Sequence, residues 1–257
     1  MTDIHQTAVV GKGAELGDGV QIGPFCVIGP NVTIGSGTKL MSHVVLDGLT
    51  KIGRDCAIFP FASIGTQTQD LKFKGGKTYV EVGDRTTLRE YVTINSGTND
   101  GEVTKVGSGC HICAYAHVAH ACKVGNEVIM SNCATLAGEV VVEDQVIIGG
   151  LTAAHQFVRI GRLCMVGGCT AVRQDCPPFM IVAGNPAEVA GLNSVGLKRK
   201  NVGEETQAEL KRAYKMLYRD GLSTSQALEK MRAELGMSAE VEHLISFIAG
   251  SERGITK

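Results

Sequence analysis

Three of the seven histidines, His111, His117 and His120, fall within ten residues. Imidazole is the side chain best suited to moving a proton near neutral pH. Two chemistries use such a cluster. A neutral imidazole can take a proton from an attacking hydroxyl while a backbone N–H steadies the oxyanion formed at a carbonyl. Alternatively, a set of three imidazoles can hold zinc. His5, His43, His155 and His243 are scattered through the rest of the chain. Cys110 and Cys113 make a C-x2-C pair with no second pair to complete a metal site.

The elements that must position these groups are written in a repeat of six. Stepping from Ile4 through Val10, Leu16 and Ile22 to Ile64, then Val82, Leu88 and Ile94, then Val106 to Val172, meets 26 positions. All but Ala154 are aliphatic or Met. The next residue is Gly in 13 of these hexads, and the fifth residue is small, as in Val20, Cys26, Val32 and Thr38. Six of the nine cysteines occupy that fifth place, where they serve as small apolar fillers. No amphipathic helix or hairpin keeps a period of six over so long a stretch. The pattern predicts a parallel β-helix in which three hexads make one triangular coil. Aliphatic residues then point inward, glycines permit tight corners, and coils stack at about 4.8 Å.

On this reading residues 1–186 form the β-helix and 187–257 a small α-helical domain. Loops leave the prism at 66–81 and 98–105 without disturbing its phase, and such excursions tend to carry function. Three helical faces are expected in the second part, through Leu210 and Leu217, Leu228 and Met231, and Leu244 and Ile248. Ser223 with Gln226 has the form of a capping box. A formal charge of −1 and a pI near 6.7 argue against a nucleic-acid binder. With no basic, apolar leader and no apolar run long enough to span a bilayer, the chain is expected to be cytoplasmic, without an integral membrane segment and with reduced thiols. Histidines His117 and His120 flank a corner of the prism, so catalysis belongs on a flat outer face or between neighbouring subunits.

Several stretches lie beyond the generic repeat. They are Gln69-Asp70-Leu71-Lys72, Ala116-His117-Val118-Ala119-His120, Ala134-Thr135-Leu136-Ala137-Gly138, Ala154-His155-Gln156-Phe157, Val166-Gly167-Gly168-Cys169 and Gly196-Leu197-Lys198-Arg199. In this order, and followed by helices, they resemble the acyl-carrier-protein–UDP-N-acetylglucosamine O-acyltransferases, a hexapeptide-repeat family, along the full length of the chain. The resemblance implies a left-handed β-helix. It also implies transfer of an (R)-3-hydroxyacyl chain from acyl carrier protein to the 3-hydroxyl of UDP-N-acetylglucosamine, the first step of lipid A biosynthesis. His120 matches the family's general base and Gly138 its oxyanion donor. Asp70, Lys72, His117, His155 and Gln156 match substrate contacts, and Asn193 and Arg199 match contacts to the nucleotide. Gly168 matches the position limiting acyl length, which implies a chain of about fourteen carbons. The resemblance further implies a homotrimer and no metal or other cofactor. An acidic carrier protein should meet a local basic patch, for which Arg159, Arg162, Arg173 and the Lys198–Lys200 cluster are candidates.

The chain departs from the family pattern at Ala121, where Asp is frequent, and at Glu139 and Asn95, where His is frequent. Lys200 stands where Arg is common and lacks its bidentate fork. Related readings are a 3-amino sugar nucleotide as acceptor and the later N-acyltransferase of the same pathway. That N-acyltransferase carries an extra uridine-binding domain ahead of its prism, whereas the hexads here begin at Ile4. The zinc-binding gamma-class carbonic anhydrases share the repeat, but their His-x4-His element is not matched by spacings of six and three.

Overall fold

The computed structural model describes residues 2–257; Met1, with which the expected first domain begins, lies outside them. The period of six becomes short strands separated by tight corners, for example Gln21–Ile22, Val27–Ile28 and Thr33–Ile34. Among the described residues they stack into three sheets of 11, 9 and 8 strands, and every strand but the last, Glu188–Leu192, pairs in parallel with the one a coil away. Ile22 pairs with Leu40 and Leu40 with Ile58, three hexads apart as expected. The next steps run from Ile58 to Leu88, five hexads, and from Leu88 to Ile112, four. The first loop therefore lengthens its coil by two whole hexads and the second by one. Strands resume at Tyr79 and Val103. Both excursions are shorter than the expected 66–81 and 98–105 at their C-terminal ends, because their last residues pair with neighbouring coils.

The inward column is buried from Ile22 to Val172. The fifth-position residues are buried too, but they are more than fillers. The Cys26 and Cys122 thiols donate to the carbonyls of Met41 and Ala137, and the Thr38 and Thr152 hydroxyls to those of Gly53 and Gly167. Each bond reaches forward along the chain to the corner of the next coil. Thr and Cys interchange with Ala and Val here because all four are small, and where Thr or Cys stands its donor also reaches a corner carbonyl. Burial raises these thiols, Cys122 to about 12, which makes them inert.

The glycines behave differently from expectation. The residue directly after the aliphatic does not take a left-handed backbone conformation, apart from Gly65 at the mouth of the first loop. Gly is needed there because a Cβ would crowd the next coil's backbone, as at Gly11, where it would lie 2.6 Å from the Pro30 nitrogen. Positive φ falls two residues later and is mostly borne by other residue types, among them Phe25, Phe61, Tyr91 and Tyr115. With His43 these rings stack outside one prism edge at centroid spacings of 4.7–5.0 Å, the coil repeat itself.

Past residue 186 comes a strand before the helices. Met180–Ala183 extends one sheet and then pairs antiparallel with Glu188–Leu192, so the helices begin only at Ser194. Among the described residues there are four: α1 (Ser194–Arg199), α2 (Glu204–Tyr218), α3 (Thr224–Glu234) and α4 (Ala239–Ala249). Ser223 and Gln226 form the expected capping box at α3. Four polar contacts fasten α4 and its C-cap to the late coils. Arg159 donates to the carbonyls of Phe247 and Gly250 at its C-terminus, Arg162 pairs with Glu240, and His243 meets Glu143 at 2.7 Å. Arg159 and Arg162 are thus committed to the interdomain joint and are unsuited to the basic docking patch expected of them. Among the described residues no helix is long and apolar enough to cross a membrane.

Candidate active site

The cleft lies where one sheet turns the corner after strands Thr93–Asn95, His117–Val118 and Thr135–Leu136, beneath the first loop. Its lining includes Asp70, Lys72, Asn95, His117, His120, Gly138 and Gln156, around an open volume of about 530 Å³. The hexad explains the assembly. Residues 120, 138 and 156 each stand two places beyond an inward-facing residue (Val118, Leu136 and Ala154), and successive coils place them one above another. The loop hangs from the same corner, which brings Asp70 over the ring of His120.

At this corner position the backbone N–H points out of the coil-to-coil ladder. At some coils it finds an oxygen: the N–H groups of Arg54, Ser108 and Asn126 donate to the side chains of Asp84, Asn126 and Asp144 at 2.7–2.9 Å. Above Gly138 there is no such side chain of the next coil within the bonding pattern of the described residues. Gly138 lines the cleft and its N–H has no protein acceptor, which leaves a backbone donor available to an oxyanion. A Cβ at 138 would collide with Cε1 and Nε2 of His120, so glycine is required for the imidazole to sit where it does.

His120 is largely buried, with its side chain 18% exposed, and its Nε2 lies 3.8 Å from Oδ2 of Asp70. That is too long for a hydrogen bond but close enough to attract a protonated ring. Nδ1 of His120 and Oδ1 of Asn95 are buried without a partner. Oδ1 of Asp70 accepts the N–H of Lys72 at 3.0 Å, and this bond, with the charges of His120 and Lys72, holds the carboxyl below its ordinary range. His117 bonds through Nδ1 to the Thr93 hydroxyl at 2.7 Å, and burial, then the proximity of His120, pushes its titration down.

Other expected residues fall elsewhere. His155 is exposed and faces Arg253, with Nδ1 3.3 Å from Nη2, and it does not line the cleft. Asn193 caps α1: its Oδ1 accepts from Gly196 and its Nδ2 donates to the Leu163 carbonyl. With Arg199 it lines a second groove, against Ile147, Met165 and Ile181 on a different sheet. The histidine cleft and the nucleotide motif are therefore separate in one chain. Gly168 has an unremarkable backbone, and a Cβ there would meet only Gly150, its carbonyl at 3.3 Å. The corner does not need glycine at 168, since Cys169 takes the left-handed conformation. Among the described residues no three His, Cys, Asp or Glu side chains converge as a metal site. Thr68, Thr98 and Glu102 around Asp70 were not singled out from sequence; only their place in the two phase-preserving loops pointed to them.

A triangular coil of hexads with a histidine and a free backbone donor at one corner defines a hexapeptide-repeat transferase, and residues 13–48 match the bacterial transferase hexapeptide family. Residues 175–256 match the family described as UDP N-acetylglucosamine O-acyltransferase, domain 2. The chain is 50% identical over 258 residues to the acyl-[acyl-carrier-protein]–UDP-N-acetylglucosamine O-acyltransferase of Thermodesulfovibrio yellowstonii, covering 100% of both. It is 48% identical to that of Anaeromyxobacter over 99% of both. The UDP-N-acetylglucosamine acyltransferase structure from Bacteroides fragilis superposes with a TM-score of 0.95 at 38% identity, over 99% of this chain and 100% of that one. The chain belongs to the acyl-[acyl-carrier-protein]–UDP-N-acetylglucosamine O-acyltransferase family, and its coil is the left-handed β-helix of that family.

Proposed function

We propose that this chain transfers an (R)-3-hydroxyacyl group from the thioester of acyl carrier protein to the 3-hydroxyl of UDP-N-acetylglucosamine, the first step of lipid A biosynthesis, with His120 as general base. Nε2 of His120 takes the hydroxyl proton as the sugar oxygen attacks the thioester carbon. The tetrahedral oxyanion is held by the Gly138 N–H. Collapse expels the carrier thiolate, to which the imidazolium returns the proton. Asp70 faces the ring on the side where positive charge develops. The observation that carries this reading is the free N–H of Gly138 beside the imidazole, a donor and a base on one rigid corner. The reaction so written uses no metal or cofactor.

The separation of the histidine cleft from the Asn193–Arg199 groove supports a homotrimer with sites between subunits. Side-by-side prisms under three-fold symmetry bring the groove of one copy to the cleft of the next, three times over. Gly168, which adds no side chain at its corner, accommodates a long acyl chain of about fourteen carbons in this scheme. Arg173 and Lys198 remain candidates for the carrier protein, and the buried, inert thiols suit a cytoplasmic protein.

The test is His120→Ala, assayed for acyl transfer from 3-hydroxymyristoyl carrier protein. Because His120 stands outside the prism core, the variant should fold and assemble as wild type while losing nearly all transfer. Substantial residual turnover would refute the assignment.

A further inference from the structure

The two loops that leave the prism meet at a pair of buried threonines, Thr68 from the first and Thr98 from the second, each 5% exposed. Three hydrogen bonds join them to Asp70. The Asp70 N–H donates to Thr68 Oγ1 at 3.1 Å, the two hydroxyl oxygens are 3.3 Å apart, and Thr98 Oγ1 lies 3.3 Å from Asp70 Oδ2. A carboxylate only accepts, and each hydroxyl has one proton. One assignment satisfies the ring: Thr98 donates to Asp70, Thr68 donates to Thr98, and the Asp70 N–H donates to Thr68. The second loop is itself pinned, since Oε2 of Glu102 accepts the N–H groups of Thr98 and Asn99 at 2.8 and 3.0 Å. Those bonds keep the Glu102 carboxyl below its ordinary range despite the opposing effect of burial.

We infer that Thr98, locked by Glu102 and partnered by Thr68, is a positioning residue for the transfer reaction: it holds the Asp70 carboxylate over Nε2 of His120. The Lys72 N–H fixes the other carboxylate oxygen, so the Thr98 hydroxyl decides whether Oδ2 faces the imidazole or swings to solvent. Two separate excursions of the chain are thereby coupled to one proton transfer. The requirement is pronounced in this chain, because Ala121 offers the ring no carboxylate from its own strand. The inference rests on the reading of His120 as base.

The experiment compares Thr98→Val, which keeps the shape and removes the hydroxyl, with Thr98→Ser and Thr68→Val in the full-length protein. Steady-state transfer is measured with 3-hydroxymyristoyl carrier protein and UDP-N-acetylglucosamine, beside thermal melting. A hydrogen bond to a charged group is at stake, so kcat should fall about ten-fold or more in Thr98→Val. KM for the sugar nucleotide should change less than kcat does, and Thr98→Ser should restore most of kcat. Thr68→Val, which breaks the same ring from the other loop, should show the same split. Wild-type kcat in a folded Thr98→Val would overturn the inference, as would a defect confined to KM or a failure of Ser to rescue. His120→Ala run in parallel separates the two ideas. If it is inactive while Thr98→Val is normal, the positioning role alone fails; if it remains active, the base assignment fails first.

Discussion

Gly138→Ala isolates one consequence of the corner geometry, because alanine keeps the backbone N–H and adds only a methyl group. That methyl would fall inside the 3.0 Å limit below which real Cβ contacts do not occur, against Cε1 and Nε2 of His120. The obstacle is the far end of a rotatable side chain, so the ring yields and the fold survives. Clearing the limit takes a retreat of about 1 Å, and a displacement of that size costs about 100-fold in rate when the group must meet a reacting atom. The expected loss in kcat is therefore about 100-fold, or about 2.7 kcal/mol of barrier. Stability should change by less than about 1 kcal/mol, since φ at 138 is not left-handed and alanine narrows the unfolded ensemble. Gly191→Ala, where no atom lies within 4 Å of the added Cβ, is the control and should keep wild-type turnover. The assay is single-turnover acyl transfer with melting curves for all three proteins. A Gly138→Ala enzyme within about three-fold of wild type would refute the argument that glycine is there to seat the base.

Gly168→Met should shift donor preference towards shorter acyl chains, because the backbone at 168 is not left-handed and the Gly150 carbonyl, 3.3 Å from an added Cβ, need give by only a few tenths of an ångström; competition between carrier proteins bearing different chains measures it, and an unchanged preference would count against the role. His117 gives a pH signature. Its titration is depressed in the folded state from the ordinary 6.5, so below that pH the unfolded chain binds a proton that the folded chain refuses. Stability then rises with pH through the window just below 6.5 and levels off above it. A His117→Gln variant should lose that part of the slope in melts between about pH 5 and 7, whereas the lowered carboxyls Asp70, Asp84 and Glu102 act at more acid pH.

Much of this architecture is local and therefore legible. A side chain facing into a three-sided coil recurs with the period of that coil, so Ile22, Leu40 and Ile58 announce the prism before any coordinates exist. The loops betray themselves in the same way, since the surplus each adds is a whole number of hexads and preserves the phase. The helical faces and the Ser223–Gln226 cap are equally local. The role of glycine was less legible: it answers to the backbone of the next coil and not to its own φ, and that distance exists only once coils are stacked.

The chemistry divides along the same line. Residue types and spacing were enough to single out the histidine cluster, and the resemblance to the family added the roles of His120, Gly138 and Asp70. Tertiary structure alone decided that Gly138 lies against the imidazole, that two threonines from separate loops hold Asp70, and that Arg159 and Arg162 serve a joint. It also set Asn193 and Arg199 on another face from His120. The physical reason is the coil. A repeat of six writes the direction of each side chain into the sequence, whereas the neighbours it meets lie a whole turn away, at a separation that stacking and the inserted loops determine.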